Sequence, residues 1–369
     1  MKKQQLLIAL LAILIAFSSL NLAHAQLDLP RGSQMAKVSQ RIGITDISIA
    51  YSRPSVNDRE IWGKLVPYGL NDFNFGTSKA APWRAGANEN TIFETSHAIK
   101  IEGKDLPAGK YGLHMVIHED NTAKVLLTHN HGAWGSYFFE PSDVALEVDV
   151  TTKEVPHVEQ LKYEFNEVDA TSTVASLNWE KKQIPFTIVV PVTDIVLTNI
   201  RSKMQNQPGF QRQTWEQAAN FALNNGGDLE EAMGWIDAAI EGQFFSKKTF
   251  NNLAIKAQIL MKQGKMQEAV SVMDEAMPLG TVFQVHGYGR QLIAAGQKDK
   301  ALEVFKWNAK THKGEWPVDY GLARGYSAVG NYKTALKHLK IAEGRAPDQV
   351  NQNAIATNVS KLQEGTDIN

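Results

Sequence analysis

The apolar residues of this chain follow a different period in each half. Between residues 37 and 191 they alternate with polar or small residues, as at Ile47, Ile49 and Tyr51. Alternation at a period of two is typical of strands that bury one face. Turn residues separate these segments, so the pattern predicts about nine or ten short antiparallel strands. Strands of this kind form a β-sandwich or a more barrel-like domain.

Three apolar runs place particular strands within this half. Val144 to Val150 alternate with small or acidic residues and predict one strand. Val174 to Trp179 and Phe186 to Val190 predict two further strands. These runs lie near the end of the β-rich half, just before the period changes.

After residue 191 the apolar spacing becomes helical. Residues 194–204 predict a helix that leads to Pro208 and Gly209, which we interpret as the joint between two domains. Beyond this joint one pattern recurs four times at a spacing of about 34 residues, which is typical of a helix-turn-helix solenoid. Its glycines are Gly227, Gly264, Gly296 and Gly330. The first small position after each glycine is Ala232, Ala269, Ala301 or Ala335. The second small position is Ala239, Ala276, Asn308 or Ala342. A final segment, Gln349 to Leu362, is expected to close the stack.

The repeats resemble tetratricopeptide repeats. The last block carries the residues that this family favours, whereas the third has Asn308 where a small residue is usual. The resemblance implies a concave groove, built from the first helix of each pair, that binds a protein partner. By analogy this groove carries Gln217, Phe221, Ala254, Gln258, His286, Arg290, Tyr320 and Arg324. Arg290 and Arg324 occupy equivalent positions in adjacent repeats, so they form either an anionic-ligand site or two solvated surface arginines.

The β-rich half resembles domain-of-unknown-function family 2911. The resemblance rests on blocks that occur in one order, namely residues 51–54, 61–63, 66–69, 83–89, 106–113 and 134–137. It implies an exported bacterial protein, often joined to helical repeats, and brings no established activity. One departure is the segment Leu70 to Pro82, which we interpret as an insertion without an assigned role.

The densest polar cluster of the β-rich half is the segment from Trp83 to Glu89. We interpret Trp83, Arg84, Asn88, Glu89 and Trp134 as a candidate ligand site. A guanidinium can hold an anionic ligand in a fork geometry. In the alternative interpretation Arg84 and Glu89 form an internal ion pair that fixes the loop. The tryptophans, Trp62 included, are either a stacking platform or apolar plugs at one end of the sandwich.

Histidines of the β-rich half suggest an alternative site. Residues 111–118 and 123–129 predict a hairpin, in a register that pairs His114 with Leu127. This register places the set His114, His118, His129 and His131 on one face. Imidazoles grouped in this way bind divalent metals, and the alternative is ordinary histidines at the rim. No other cofactor is expected.

The first 25 residues predict a cleaved secretory signal. Lys2 and Lys3 precede an apolar run over residues 6–17, which is too short to span a membrane. A small-x-small motif then predicts cleavage between Ala25 and Gln26. We therefore expect a periplasmic or secreted protein without stable membrane insertion.

Composition excludes several kinds of chemistry. The chain has no cysteine, which removes disulfides, thiolate nucleophiles, cysteine-ligated metals and a lipid anchor. Its net charge of −1 and the lack of a basic block argue against nucleic acid. The nucleophile elbow, the phosphate-binding loop and the zinc-protease motif are absent from the sequence.

Together these features predict a two-domain β and α protein. The expected parts are a signal peptide (residues 1–25), a β-rich domain (26–192), a linking helix (193–210) and a tetratricopeptide-like domain (211–365). The favoured function is an exported, non-enzymatic binding or scaffolding module whose helical groove takes a protein partner. The alternative is a small hydrolase or lyase, or a ligand site, that uses the histidines or the Arg84–Glu89 loop.

Overall fold

The computed structural model describes residues 29–369 and divides after Val192 into two compact units. We call them the β unit and the helical unit. The predicted signal peptide, with Ala25 and Gln26, lies outside the described residues.

The β unit consists of two antiparallel sheets. Its strands are β1 (Gln34–Ile42), β2 (Thr45–Arg53), β3 (Thr91–Thr95), β4 (Ile99–Ile101), β5 (Lys104–Leu106), β6 (Gly109–Ile117), β7 (Thr122–Thr128), β8 (Val144–Thr151), β9 (Lys153–Asn166) and β10 (Ser172–Val189). One sheet has the order β1-β2-β3-β6-β7-β8 and the other β5-β4-β10-β9. The predicted antiparallel β fold is confirmed, as a pair of sheets rather than a closed barrel.

Alternate residues of both sheets are buried, as the sequence pattern predicts. Ile47 and Ile49 of β2 are fully buried, and Tyr51 contacts Tyr163 of β9 edge-on at 4.8 Å between ring centroids. The hydroxyl of Tyr51 accepts a hydrogen bond from the Tyr163 backbone N–H. This contact joins the two sheets through their core.

Two details of the predicted strands are wrong. The segments 174–179 and 186–190 belong to one 18-residue strand, β10, except for Val190, which follows its end. Its register against β9 shifts at Glu180, where the backbone takes a φ of 53° and the strand continues past the irregularity. In the β6–β7 hairpin, His114 pairs with Leu126 rather than Leu127, because Ile117 and not His118 pairs with Ala123.

The helical unit consists of ten helices. They are α1 (Val192–Met204), α2 (Arg212–Asn224), α3 (Leu229–Ile240), α4 (Phe250–Lys262), α5 (Met266–Ala276), α6 (Val282–Ala294), α7 (Lys298–Thr311), α8 (Trp316–Ala328), α9 (Tyr332–Glu343) and α10 (Gln349–Gln363). Helices α2 to α9 form the four predicted antiparallel pairs, and α10 follows the last pair. The predicted helical-repeat solenoid is confirmed.

Small residues lie where helices cross, as the repeat pattern predicts. Ala232, Ala301 and Ala335 are fully buried, and Gly264 and Gly330 end their helices with positive φ. In the first repeat the positive φ belongs instead to Gly226, one residue before the predicted glycine.

Asn308 departs from the repeat pattern because its amide supports the core. Its side chain is fully buried and donates from Nδ2 to the Val282 carbonyl at 3.0 Å. Its Oδ1 lies 2.7 Å from Nδ1 of His312. A buried amide that is bonded at both ends avoids the cost of unsatisfied polar atoms.

The predicted linking segment contributes to the core of the helical unit. Residues 192–204 form α1, and a short 3₁₀ helix follows over Gln207–Phe210. Leu197 is 4% exposed and belongs to the same apolar cluster as Ala222 and Ile236. At the other end, Ile355 and Leu362 of α10 are buried against the last repeat.

Candidate functional site

The first helices of the last two repeats bring polar and aromatic side chains into contact with each other and with α10. The ring of His286 on α6 lies 6.2 Å from that of Tyr320 on α8. The Asn358 side chain of α10 donates to the Tyr320 hydroxyl at 2.8 Å. We call this surface, made by α6, α8 and α10, the groove face.

Two aromatic residues that were not predicted extend the groove face. Phe283 is 60% exposed, and its ring lies 6.4 Å from that of Trp316. Trp316 in turn stacks on Tyr320, at 6.2 Å and an interplanar angle of 23°. Phe283 and Trp316 both lie in the first turn of their helices, α6 and α8, but not at equivalent repeat positions. The predicted helix starts, rather than the repeat spacing, were the signal that could have found them.

The two predicted arginines of the groove face differ in their contacts. Arg290 is exposed, whereas the guanidinium of Arg324 lies over the Tyr320 ring at 4.8 Å. Arg324 also donates to the Tyr320 hydroxyl at 3.2 Å and to Oδ1 of Asn369 at 3.3 Å. Within residues 29–369 neither guanidinium forms a salt bridge, so both charges remain available to an anionic group.

His286 is a half-buried ring that lies near both of these cations. Its Nδ1 has no hydrogen-bond partner among the described residues, and the absence of a side chain at Gly321 leaves room for the ring. Burial, together with the charges of Arg324 and Arg290, lowers the pKa of His286 to about 4. At neutral pH the imidazole therefore adds a polar group without adding charge.

The other predicted groove residues lie on the first two repeats. Phe221 and Ala254 pack partly against the core, and Gln217 is exposed. Gln258 on α4 is half-buried. The aromatic contacts of the groove face do not include these four residues.

In the β unit, Trp83 belongs to a cluster of three tryptophans. Its backbone exchanges two hydrogen bonds of 2.8 Å with Met115 of β6. Its ring stacks on Trp179 at 6.0 Å and meets Trp62 edge-on at 6.0 Å. Trp134 is 54% exposed and lies outside this cluster, so Trp179 takes the place that the sequence interpretation gave to Trp134.

The loop that follows Trp83 is held in a strained conformation by distant strands. Ala85 and Asn88 have φ of 50° and 60°. The Ala85 carbonyl accepts hydrogen bonds from the hydroxyls of Tyr163 at 2.9 Å and Thr91 at 3.1 Å. Non-glycine residues keep such backbone angles only where the surroundings fix them.

The predicted ion pair between Arg84 and Glu89 does not form. Glu89 pairs with Arg31, and this guanidinium holds the pKa of Glu89 below its usual range. Arg84 instead donates to the backbone carbonyl of Asn88 and lies over the Tyr137 ring at 4.9 Å. The interpretation of Arg84 and Glu89 as an internal ion pair that fixes the loop is therefore wrong.

The segment from Leu70 to Pro82 packs against Tyr137. The rings of Phe73 and Phe75 meet that of Tyr137 edge-on at 6.1 and 5.1 Å, and the Ser78 N–H donates to its carbonyl at 3.0 Å. Gly76 lies so close to this carbonyl that a side chain would not fit. The insertion thus helps to fix the aromatic ring on which Arg84 rests.

The four predicted metal-site histidines are not assembled. In the observed register His114 lies on the opposite face of the hairpin from His129, whose ring is 5.9 Å from Tyr111. His131 donates from its backbone to His129, and His118 lies at the turn. Among residues 29–369 no group of three or more histidine, aspartate or glutamate side chains could hold a metal ion. The one-residue shift in register separates the set, and this metal site was predicted wrongly.

His114 is instead a buried neutral histidine. It is 2% exposed, and its Nδ1 lies 3.1 Å from the Ser136 hydroxyl. Burial lowers its pKa to about 4, with a smaller contribution from the charge of Arg84.

Comparisons with known proteins bear on each unit separately. Residues 33–188 match the model of a family described as a protein of unknown function, DUF2911. The predicted resemblance of the DUF2911 region is thereby confirmed. A comparison with curated proteins finds no match.

Several solved structures are similar to part of the chain. The TPR protein YrrB, described as having an unusual peptide-binding site, is 17% identical, with 45% of this chain and 84% of that chain covered and a TM-score of 0.30. The C-terminal part of a TPR protein from Cytophaga hutchinsonii is 15% identical, covering 47% and 66% at a TM-score of 0.35. A TPR protein of Thermus thermophilus, TTC0263, is 16% identical, covering 47% and 91% at 0.32. We infer the repeat architecture from the helix pairs of this chain and not from these similarities.

In the part of the chain that the structure describes, no helix is long and apolar enough to cross a membrane.

Proposed function

We propose that the helical unit is a binding module that holds an extended segment of a protein partner on the groove face. The partner segment carries an acidic side chain next to an aromatic or aliphatic one. The residues that contact it are Phe283, His286, Arg290, Trp316, Tyr320 and Arg324. The β unit accompanies this module, and the protein works as an exported scaffold rather than as an enzyme of the groove.

The observation that carries this proposal is the aromatic run of exposed Phe283 and half-buried Trp316 and Tyr320, which lies beside two guanidinium groups without salt bridges among the described residues. Aromatic residues and arginine dominate the binding energy of protein interfaces. Rigid aromatic rings such as Trp316 and Tyr320 lose little conformational entropy on binding. The guanidinium of Arg290 then selects a carboxylate, because an unpaired charge at the rim attracts the opposite charge.

The stacking of Trp316 on Tyr320 prepares the surface before a partner arrives. Tyr320 is fixed at its ring by the guanidinium of Arg324 and at its hydroxyl by the amide of Asn358. A surface that is already ordered loses less free energy on association than a mobile one. We therefore expect an extended segment to bind without rearrangement of α6 or α8.

Export to the periplasm or beyond is part of this proposal. It is supported by Lys2 and Lys3, the apolar run over residues 6–17 and the small-x-small motif that ends at Ala25. The lack of cysteine fits a chain whose stability comes from core burial alone. Fractionation of cells that express the full chain, followed by sequencing of the mature N-terminus, tests this part. A mature chain that begins at Gln26 supports it, and a cytoplasmic chain that retains Met1 contradicts it.

Selection of random peptides displayed on phage, with the purified protein as bait, tests the binding function. We expect enrichment of peptides with Asp or Glu beside an aromatic or aliphatic residue. Binding of a selected peptide should weaken about tenfold or more in Arg290→Ala, as hydrogen bonds to charged groups predict, and in Trp316→Ala.

The matched control for this selection is Phe244→Ala. Phe244 is an aromatic residue of the same unit and is 81% exposed, more than Phe283. Binding that survives Trp316→Ala and Arg290→Ala but is lost in Phe244→Ala would contradict the proposal.

A further inference from the structure

A cavity of about 380 Å³ opens beside the Trp83 loop of the β unit. Its wall includes Arg59, Trp83, Arg84, Ser136, Tyr137 and Trp179. This volume lies within the range of small-molecule sites, roughly 300–1,000 Å³. None of the contacts of the groove face involves this cavity, which lies within the β unit.

The cavity carries positive charge without a compensating carboxylate. Among the described residues, Arg59 donates only to the backbone carbonyls of Val56 and Ser55, and Arg84 only to that of Asn88. Within residues 29–369 neither guanidinium forms a salt bridge. By contrast, Lys124 at a larger, mostly apolar pocket of about 690 Å³ is paired with Glu147 and Asp149. The smaller cavity is therefore the one suited to an anion, because its guanidinium groups are not paired with carboxylates.

Arg84 is positioned rather than mobile. Its guanidinium rests on the Tyr137 ring and packs so closely on Gly135 that a side chain at that glycine would collide with it. Gly135 has a φ of 69°, a conformation that glycine adopts without strain. A guanidinium fixed in this way offers its donors in one plane, which matches a carboxylate.

The rest of the wall is aromatic and holds a polar atom without a partner. Trp179 is 1% exposed, and its indole N–H has no hydrogen-bond partner among the described residues. The same holds for the indole N–H of Trp62, which meets Trp179 edge-on at 5.9 Å. Buried donors are nearly always bonded in native proteins, so an unpartnered one at a cavity points to a missing acceptor.

We propose that this cavity binds a small aromatic carboxylate. The fork of Arg84 takes the carboxylate, and the ring of the ligand packs against Trp83 and Trp179. A sugar fits less well, because its many hydroxyl groups need hydrogen-bond partners, and Ser136 already contacts His114. A bare inorganic anion would leave the aromatic wall without a function.

Titration of the ¹⁵N-labelled protein with sodium benzoate and 2-naphthoate tests the proposal. The indole N–H signals, assigned through single Trp→Phe variants, report each tryptophan separately. We expect saturable shifts for Trp83 and Trp179, with a Kd on the order of 1 mM or below, as the efficiency of small ligands implies. Trp215 is the internal control, since its indole N–H is bonded to the Gly209 carbonyl in the helical unit.

Neutral and inorganic probes separate the contribution of charge to binding from that of the aromatic ring, and they need no mutation. Benzamide, the neutral counterpart of benzoate, should bind at least tenfold more weakly. Phenyl phosphate tests whether a phosphate replaces the carboxylate, and we expect weaker binding than for benzoate. Inorganic phosphate that binds as tightly as benzoate would overturn the aromatic part of the proposal. The absence of saturable shifts with any aromatic acid up to about 10 mM would overturn it entirely.

Variants then identify the anion-binding group. Arg84→Gln should abolish benzoate binding, and Arg84→Lys should weaken it, because an ammonium lacks the planar fork. Arg41→Gln is the matched control, since Arg41 lies on β1 and pairs with Asp46. Unchanged affinity in a folded Arg84→Gln protein would contradict the assignment. If that variant does not fold, the difference between benzoate and benzamide decides.

Discussion

The two units bring their candidate binding residues together by different means. On the groove face, His286 and Tyr320 occupy equivalent positions one repeat apart, as do Arg290 and Arg324. In the β unit, the cavity collects Arg59, Arg84, Tyr137 and Trp179 from stretches far apart in sequence. A repeated local pattern therefore creates the first site, whereas the second exists only once the two sheets have paired and the loops between them are fixed.

The largest expected effect concerns the start of the helical unit. Leu197→Ala should lower the free energy of unfolding of this unit by about 2–5 kcal/mol, as for other buried leucines. The reason is that α1 packs into the repeat core instead of serving as a linker. Urea unfolding followed by far-UV circular dichroism measures this change. Equal stability of the variant and the parent protein would show that the helical unit begins later, near residue 211.

A second change tests the repeat pattern itself. Ala335→Leu should lower the stability of the helical unit by about 1–3 kcal/mol, because Ala335 is fully buried at a helix crossing. Ala356→Leu on α10 is the matched control, since Ala356 is exposed. Similar melting temperatures for the two variants would mean that the small-residue positions do not mark close crossings.

The repeat pattern predicted most of the helical unit, and strand alternation predicted much less of the β unit. Helical positions such as Ala335 follow from spacing along one segment. The hairpin register did not follow from spacing. Ile117 rather than His118 pairs with Ala123, and a register shift of one residue changes which side chains share a face. Trp179 was missed as a cavity residue because no local signal connects it with Trp83. The ion partner of Glu89, Arg31, likewise became visible only in the folded unit.

The buried histidine of the β unit predicts a pH dependence. His114 has a folded-state pKa of about 4 against an ordinary value of 6.5, so the unfolded chain binds a proton that the folded protein does not. Stability is therefore complete above about pH 6.5 and decreases as the pH falls towards 4. The loss between pH 7.5 and 5 should be about 2 kcal/mol, at 1.36 kcal/mol per pKa unit.

Comparison with His114→Asn isolates this contribution. Asparagine does not titrate and keeps a polar atom near Ser136, so the variant should gain about 2 kcal/mol relative to the parent protein between pH 7.5 and pH 5. Intrinsic tryptophan fluorescence during urea unfolding provides the measurement, and His131→Asn at an exposed position is the control. A constant difference between parent and variant across this pH range would contradict a buried neutral His114.

The smallest expected effect distinguishes the two arginines of the groove face. Arg290→Ala should change stability by less than about 0.5 kcal/mol, because the side chain is exposed. Arg324→Ala should cost about 1 kcal/mol, because Arg324 bonds to Tyr320 and Asn369. Thermal melts of both variants at low and high salt measure these shifts. A larger loss for Arg290→Ala than for Arg324→Ala would contradict the contacts described here.

The most direct test of the groove face is site-specific photo-crosslinking in cells that naturally produce the protein. A photoreactive phenylalanine analogue is placed at Phe283 in one variant and at Phe244 in another, and crosslinked products are compared. We predict a discrete protein adduct from Phe283 that is lost when Arg290→Ala is added, and none from Phe244, although Phe244 is more exposed. A discrete adduct from Phe244 with none from Phe283 would contradict the proposal that the groove face binds the partner.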